Sequence, residues 1–134
     1  MKRYSIVLIV LLVLTFSASL ASAAFDIPSH VYRLDQLQQA KEEAKADDKQ
    51  IVFLYSNEHT HCSLASRASI SIMQRFKRSA VIVYIYKAEW AKVPRIVREA
   101  IKSSEAGKFI PKTVVVDSGI TEVVSIIPYE RAGK

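Results

Sequence analysis

The chain has 134 residues, half of them hydrophobic, and its formal net charge is +6 at pH 7. This length suits one small domain with its own core. The basic residues are scattered, without an interleaved aromatic platform, which argues against nucleic-acid binding. With three glycines in all, the chain contains no Gly-rich phosphate loop.

The first 23 residues have the pattern of an export signal. A basic start at residues 2–3 precedes an apolar run of 16 residues, 5–20, and Ala21-Ser22-Ala23 forms a small-residue cleavage site. The run is short for a membrane span, which needs about 20 apolar residues. We therefore predict a cleaved, exported protein that is periplasmic or secreted. The alternative is that these residues are retained as an N-terminal anchor. We expect membrane contact only in that case.

After a lead-in over residues 24–33, the hydrophobic pattern predicts alternating helices and strands over residues 34–134. The predicted elements in chain order are a helix over 34–48, a strand over 51–55, a helix over 64–76, a strand over 81–86, a helix from 90 to about 103 with Pro94 in its first turn, a strand over 113–116, a turn at 117–119 and a strand over 120–127. A helical crossover makes the first two strands parallel, and a hairpin makes the last two antiparallel. The pattern therefore predicts one α/β domain with a central four-stranded mixed sheet.

The residues best suited to chemistry lie between the first predicted strand and the second helix. His59, His61 and Cys62, the only cysteine, lie in this loop. Open α/β folds place their sites at the carboxyl ends of strands, and a helix N-terminus favours a thiolate. One cysteine excludes an intramolecular disulfide, and in an exported chain it suggests a partner thiol, a metal or a reactive group.

Taken together, these features resemble the thioredoxin fold over residues 34–127. The element order, the Cys62 loop, the Ile110-Pro111-Lys112-Thr113 turn ahead of a Val-rich strand and the final hairpin carry the resemblance. The run QAKEEAKADDKQIVFLYS looks especially like exported bacterial thioredoxin-like domains. The resemblance implies a three-layer sandwich with flanking helices. The family's C-terminal helix is missing, so we expect a homodimer or a partner subunit to cover the exposed sheet.

The resemblance also implies a modified active loop. In the family a Cys-x-x-Cys opens the helix, and a proline, usually cis, faces it from a later turn. Pro111 matches that proline, which makes Ile110, Pro111 and Lys112 the expected substrate-binding residues. The spacing to the next strand fits Cys62 to the second family cysteine, so that His59 replaces the first in a degenerate His-Thr-His-Cys. In the other register, Cys62 is the first.

Three functions remain open. In the first, Cys62 is a catalytic thiol whose pKa His59 or His61 lowers, and it forms mixed disulfides with an exported protein or a small thiol, without a cofactor. In the second, His59, His61 and Cys62 bind copper or zinc, with Glu58 or His30 as a fourth ligand. In the third, Cys62 packs in the core of an inactive binding or assembly module. We expect thiol-linked interaction or protein binding, with at most a monothiol disulfide oxidoreductase-like activity, rather than dithiol turnover.

Overall fold

A computed structural model describes residues 24–130, so the predicted export signal in residues 1–23 lies outside the described part. None of the helices in residues 24–130 combines the length and the apolar character needed to cross a bilayer. This part of the chain folds as a mixed α/β domain around a four-stranded sheet.

The sheet has the spatial order β2-β1-β3-β4. Its strands are β1 (Gln50–Tyr55), β2 (Ala80–Ile85), β3 (Lys112–Val116) and β4 (Val123–Ile127). The β1–β2 pair is parallel, and β3 is antiparallel to both β1 and β4. The predicted parallel pair and the predicted C-terminal hairpin are both confirmed.

The apolar run in β1 is buried because helices cover both faces of the sheet. Phe53 is fully buried between Val83 on one neighbouring strand and Val114 on the other. All six residues of β2 are buried as well. Continuous apolar strands of this kind are expected where a sheet has no solvent-exposed face.

The helices lie on opposite faces of the sheet. They are α1 (Leu37–Ala46), α2 (Ser63–Phe76) and α3 (Arg95–Lys102), with short 3₁₀ helices at Leu34–Gln36, Lys87–Lys92 and Ser104–Ala106. Ala40 of α1 and Val97 of α3 pack in one core cluster with Phe53. Met73 of α2 packs on the other face with Val52 and Leu54.

The lead-in segment packs against the sheet beside β2. The Tyr32 amide donates a 2.8 Å hydrogen bond to the Ile82 carbonyl, and the Tyr84 amide donates one of 2.9 Å to the Tyr32 carbonyl. Phe25 and Val31 are buried in the same core cluster as α2. These contacts pair the outer edge of β2 with residues 24–33.

The third helix begins later than the sequence predicts. Pro94 is the N-cap residue of α3, so that the helix starts at Arg95 rather than at residue 90. The residue before a proline is disfavoured in the helical conformation, and Val93 is accordingly extended at φ −63° and ψ 131°. The segment from Lys87 to Lys92 forms a separate 3₁₀ helix.

The final strand is also shorter than predicted, because a loop built on Asp117 replaces the expected tight turn. The Asp117 carboxylate accepts hydrogen bonds from the amides of Gly119, Thr121 and Glu122 and from the Thr121 hydroxyl, at 2.6 to 3.2 Å. These bonds, the Glu122 amide foremost, lower the pKa of Asp117 to about 2. Ile120 adopts a left-handed φ of 58°, which ends the extended pairing, and β4 begins only at Val123.

Residues 128–130 follow β4 without forming a helix, and residues 131–134 lie outside the described part. The edge strand is correspondingly less covered than β1 or β2, and Val124 is exposed.

Candidate functional site

The loop between β1 and α2 is held by hydrogen bonds within itself. The Thr60 amide donates to the Asn57 carbonyl at 3.1 Å, and the His59 amide donates to Asn57 Oδ1 at 3.0 Å. The Thr60 hydroxyl then accepts a 3.0 Å bond from the Cys62 amide. Such side-chain turns are typical of Asn and Thr, and here they fix the backbone of Cys62 where α2 begins.

Buried hydroxyl groups attach the first turns of α2 to the end of β1. Ser69 Oγ donates a 2.8 Å hydrogen bond to the Ala65 carbonyl and lies 2.7 Å from Ser56 Oγ. Because Ser69 has one hydroxyl proton and gives it to Ala65, Ser56 donates to Ser69. All three residues are buried, so this chain of bonds sets the position of α2 relative to the sheet.

Cys62 is the N-cap residue of α2 and is exposed. The prediction that Cys62 packs in the core is therefore wrong, whereas an inactive binding or assembly module stays a prediction. The cause is its place in the helix: the inward-facing positions of α2 belong to Ala65, Ser69 and Met73, whereas Cys62 precedes the first helical turn.

A mostly apolar depression of about 200 Å³ lies beside Cys62. Its lining residues are Thr60, Cys62, Ala65, Phe109, Ile110 and Tyr129. They come from the β1–α2 loop, from α2, from the turn before β3 and from the segment after β4. The loop with its helix and two distant segments of the chain thus meet beside Cys62.

The predicted substrate-binding turn lies partly at this depression. Ile110 lines it, and Pro111 is buried next to it in the chain. The Ile110–Pro111 peptide bond is cis, the state that the resemblance implied. The Lys112 ammonium is instead bonded to the Ile101 carbonyl at the end of α3, at 3.1 Å.

The two loop histidines are exposed, and neither lines the depression. The side chain of His59 is 84% exposed, and its Nε2 lies 3.6 Å from Glu58 Oε1. His59 lines a different cavity of about 600 Å³, with Asn57, Glu58, Tyr86, Lys87 and Ala88. His61 is exposed and lines neither of these two cavities.

No group of three or more His, Cys, Asp or Glu side chains within residues 24–130 is arranged to hold a metal ion. His30, a predicted fourth ligand, is half-buried, and its Nε2 has no hydrogen-bond partner in this part of the chain. Copper or zinc binding through His59, His61 and Cys62 stays a prediction.

Glu58 is held by a buried residue of β2. The fully buried Tyr84 donates a 2.9 Å hydrogen bond to Glu58 Oε2, and the Glu58 side chain is only 19% exposed. Burial raises the pKa of Tyr84 well above its usual value, and the bond to Glu58 raises it further. Burial also raises the pKa of Tyr86, against the effect of Arg33, which lies 4.8 Å from its ring centre.

Sequence reasoning missed three residues of this region, Tyr84, Phe109 and Tyr129, and it included Thr60 in the loop without assigning it a role. Thr60 had a local signal, because a threonine two residues before the N-cap position can accept from a loop amide. The other three had no local signal. Phe109 and Tyr129 reach the Cys62 depression only through the packing of distant segments.

Comparison of the chain with protein-family models, with curated proteins and with solved structures found no match.

Proposed function

We propose that this chain is an exported thioredoxin-like protein that acts through a single thiol, by forming mixed disulfides between Cys62 and a cysteine of a partner. The arrangement of the sheet supports this proposal. A parallel β1–β2 pair, an antiparallel β3–β4 hairpin and helices on both faces follow the order that the sequence resemblance implies. The reactive loop lies at the carboxyl end of the internal strand β1.

The observation that carries the proposal is the exposure of Cys62 beside an apolar depression. A thiol must be accessible to attack a disulfide, and Cys62 is exposed at the start of α2. Phe109, Ile110 and Tyr129 provide apolar surface next to it, on which the side chains around a partner's cysteine can pack. A helix N-terminus stabilises the negative charge of a thiolate.

The reaction is a thiol–disulfide exchange. The Cys62 thiolate attacks one sulfur of a partner disulfide, a new S–S bond forms, and the second sulfur leaves with the electron pair as a thiolate. The chain has one cysteine, so it cannot release the mixed disulfide by itself. An external thiol must attack that bond to regenerate Cys62.

The partner is therefore an exported protein that carries a disulfide, or the disulfide form of a small thiol. The predicted export signal would place the reaction outside the cytoplasm, where disulfides persist. A stable mixed disulfide also serves as a covalent link, which unites the thiol-linked and the protein-binding roles predicted from the sequence.

The test is the reaction of the folded protein with 2,2′-dipyridyl disulfide, a neutral reagent that releases pyridine-2-thione. We expect one adduct per chain under native conditions, on Cys62, and none in Cys62→Ser. A rate that becomes measurable only after unfolding would contradict the proposal. Leu37→Ala, a change remote from the loop in α1, is the control for an indirect effect of lowered stability.

A further inference from the structure

The middle of the chain has an uneven charge distribution. Residues 59–88 contain no Asp or Glu, but five Lys or Arg residues. Four of the five lie in α2 or in the turn after it, and all four are exposed: Arg67, Arg75, Lys77 and Arg78. All charged side chains of the second helix and its following turn are therefore positive.

These cations are not neutralised by neighbouring carboxylates. Within residues 24–130, none of the four lies within 4.0 Å of an Asp or Glu oxygen, whereas the Arg95 guanidinium on α3 lies 2.7 Å from Glu99. Arg75 lies 5.3 Å from the centre of the Phe76 ring, a contact that leaves its positive charge in place.

Two aliphatic side chains lie on the same exposed side of the helix. Leu64 is 48% exposed and Ile70 is 41% exposed. At about 100° per residue, both lie on one arc of α2 with Arg67 and Arg75, and the centre of this arc is opposite the buried Ser69. We call this arc the outer face of α2; its members are Leu64, Arg67, Ile70, Ser71, Gln74 and Arg75.

The outer face begins at Leu64, two residues after Cys62 in the chain. The helix has 14 residues and is therefore about 21 Å long, with Cys62 at its N-terminus. The nearest preceding carboxylate, Glu58, is turned into the fold by its hydrogen bond with Tyr84. The positive end of the helix dipole adds to the same field.

We propose that the outer face of α2 is a docking surface for an acidic segment of the partner protein, a segment that also carries aliphatic side chains and lies next to the disulfide attacked by Cys62. This inference rests on the proposed function and names the partner's chemistry. Both cations of the outer face, Arg67 and Arg75, are arginines, whose planar guanidinium groups bind carboxylates in pairs of hydrogen bonds. Leu64 and Ile70 supply apolar contacts between them.

A protein segment fits this surface better than a lipid bilayer does. Helices that lie in a membrane interface usually insert a broad apolar face with aromatic or leucine side chains. The outer face instead alternates two separated aliphatic residues with cations, and it carries no aromatic residue. A narrow strip of about 21 Å matches one helical or extended segment.

The experiment compares two peptides that differ only in charge. Each contains one cysteine activated as a mixed disulfide with pyridine-2-thiol, flanked by leucines and by either four glutamates or four lysines. Cys62 attacks the peptide sulfur, the peptide becomes bonded to Cys62, and pyridine-2-thione leaves. At low salt we expect the glutamate peptide to react about tenfold faster or more, because opposite charge steers association. The difference should shrink as salt screens the charges.

Two double variants with the same change in net charge separate a local from a global effect. Arg67→Ser/Arg75→Ser should abolish the preference for the glutamate peptide. Arg95→Ser/Arg98→Ser, which changes α3 on the other face of the sheet, should retain it. Neither pair changes the residues around Cys62, so the rate with 2,2′-dipyridyl disulfide should stay the same in both variants.

The outcomes distinguish this inference from the proposed function. Equal rates for both peptides, with normal reaction of dipyridyl disulfide, would overturn the docking surface alone. If no disulfide reacts with native Cys62, the thiol function is refuted. Docking is then measured separately, by the fluorescence anisotropy of a labelled, cysteine-free glutamate peptide as it binds the protein. The docking surface would be refuted if Arg67→Ser/Arg75→Ser bound the glutamate peptide as tightly as the native sequence does. It would also be refuted if this variant lost binding to phosphatidylglycerol vesicles but kept binding to the peptide.

Discussion

The Tyr84 hydroxyl donates a 2.9 Å hydrogen bond to Oε2 of Glu58, and so connects the buried strand β2 with the loop that leads to Cys62. The Glu58 carbonyl also accepts a 3.1 Å bond from the Phe25 amide, and Phe25 packs edge-on against the Tyr84 ring. Glu58 thus joins the reactive loop, the lead-in segment and the sheet. It offers its carboxylate to the interior rather than to Cys62.

Tyr84→Phe should lower the free energy of unfolding by about 1.5–3 kcal/mol, the range for a hydrogen bond to a charged group. Denaturant unfolding at neutral pH measures this change. Tyr86→Phe is the matched control, because no hydrogen bond of its hydroxyl occurs among the described residues. An equal loss of stability in both variants would contradict the role assigned to the bond.

The raised pKa of Tyr84 predicts a loss of stability at alkaline pH. Its folded pKa lies above the usual tyrosine value of 10.0, so the stabilisation is fully present below about pH 10 and is lost as the pH rises through the folded pKa. The unfolding free energy of the native sequence should therefore decrease above pH 10. In Tyr84→Phe this decrease should be shallower. An equal slope of unfolding free energy against pH in both proteins would show that Tyr84 is not its cause.

The lowered pKa of Asp117 predicts a loss of stability at acid pH. Its pKa is lowered from 3.8 to about 2 by hydrogen bonds within the β3–β4 loop, so the stabilisation is present above about pH 4 and is lost as the pH falls through 2. Asp117→Ala should lower the melting temperature at pH 7, and the difference from the native sequence should vanish towards pH 2. A pH-independent difference would show that the carboxylate's charge is not the cause.

Two phenylalanines with different burial provide a test of the core. Phe53 is fully buried in β1, whereas Phe109 is 52% exposed beside Cys62. Phe53→Ala should cost about 3–5 kcal/mol of unfolding free energy, as cavity-forming changes do. Phe109→Ala should change stability by about 0.5 kcal/mol or less, but should slow the exchange of Cys62 with leucine-flanked peptide disulfides. Equal destabilisation would contradict the predicted packing.

Thr60 positions the cysteine backbone through the 3.0 Å bond between its hydroxyl and the Cys62 amide. Thr60→Val removes this acceptor and should increase hydrogen exchange at the Cys62 amide, since a bond of about 1 kcal/mol is lost. Thr60→Ser keeps a hydroxyl and should retain the protection. Exchange at the amides of β1 should not change in either variant, and a general increase there would mean that the fold itself had loosened.

Most of the fold could be predicted because hydrophobic periodicity determines which segments are buried. The run from Ile51 to Leu54 and the spacing of Ala65 and Met73 gave a strand and a helix, and both are confirmed. The errors arose where a single side chain determines the local backbone. Pro94 separates α3 from the preceding 3₁₀ helix. The Asp117 carboxylate accepts hydrogen bonds from the amides of Gly119, Thr121 and Glu122, so that these residues form a loop instead of the start of β4.

The candidate site could be located but not assembled from the sequence. Cys62 lies at a helix start that the pattern predicts, and Ile110 was expected nearby from the resemblance. Phe109 and Tyr129 lie 47 and 67 positions further along the chain than Cys62, and no periodicity indicates that they meet it. The same local reasoning grouped His59 with Cys62, whereas His59 lines a separate cavity.

The most direct test of the central claim is the rate at which Cys62 reacts with a thiol-labelling reagent in native protein, measured across pH and repeated with Cu(I) and with Zn(II). The account predicts labelling of the folded, metal-free chain at a rate within about tenfold of the unfolded chain. Protection by a metal would favour the alternative site formed by His59, His61 and Cys62. Labelling that occurs only on unfolding would contradict a thiol-linked function.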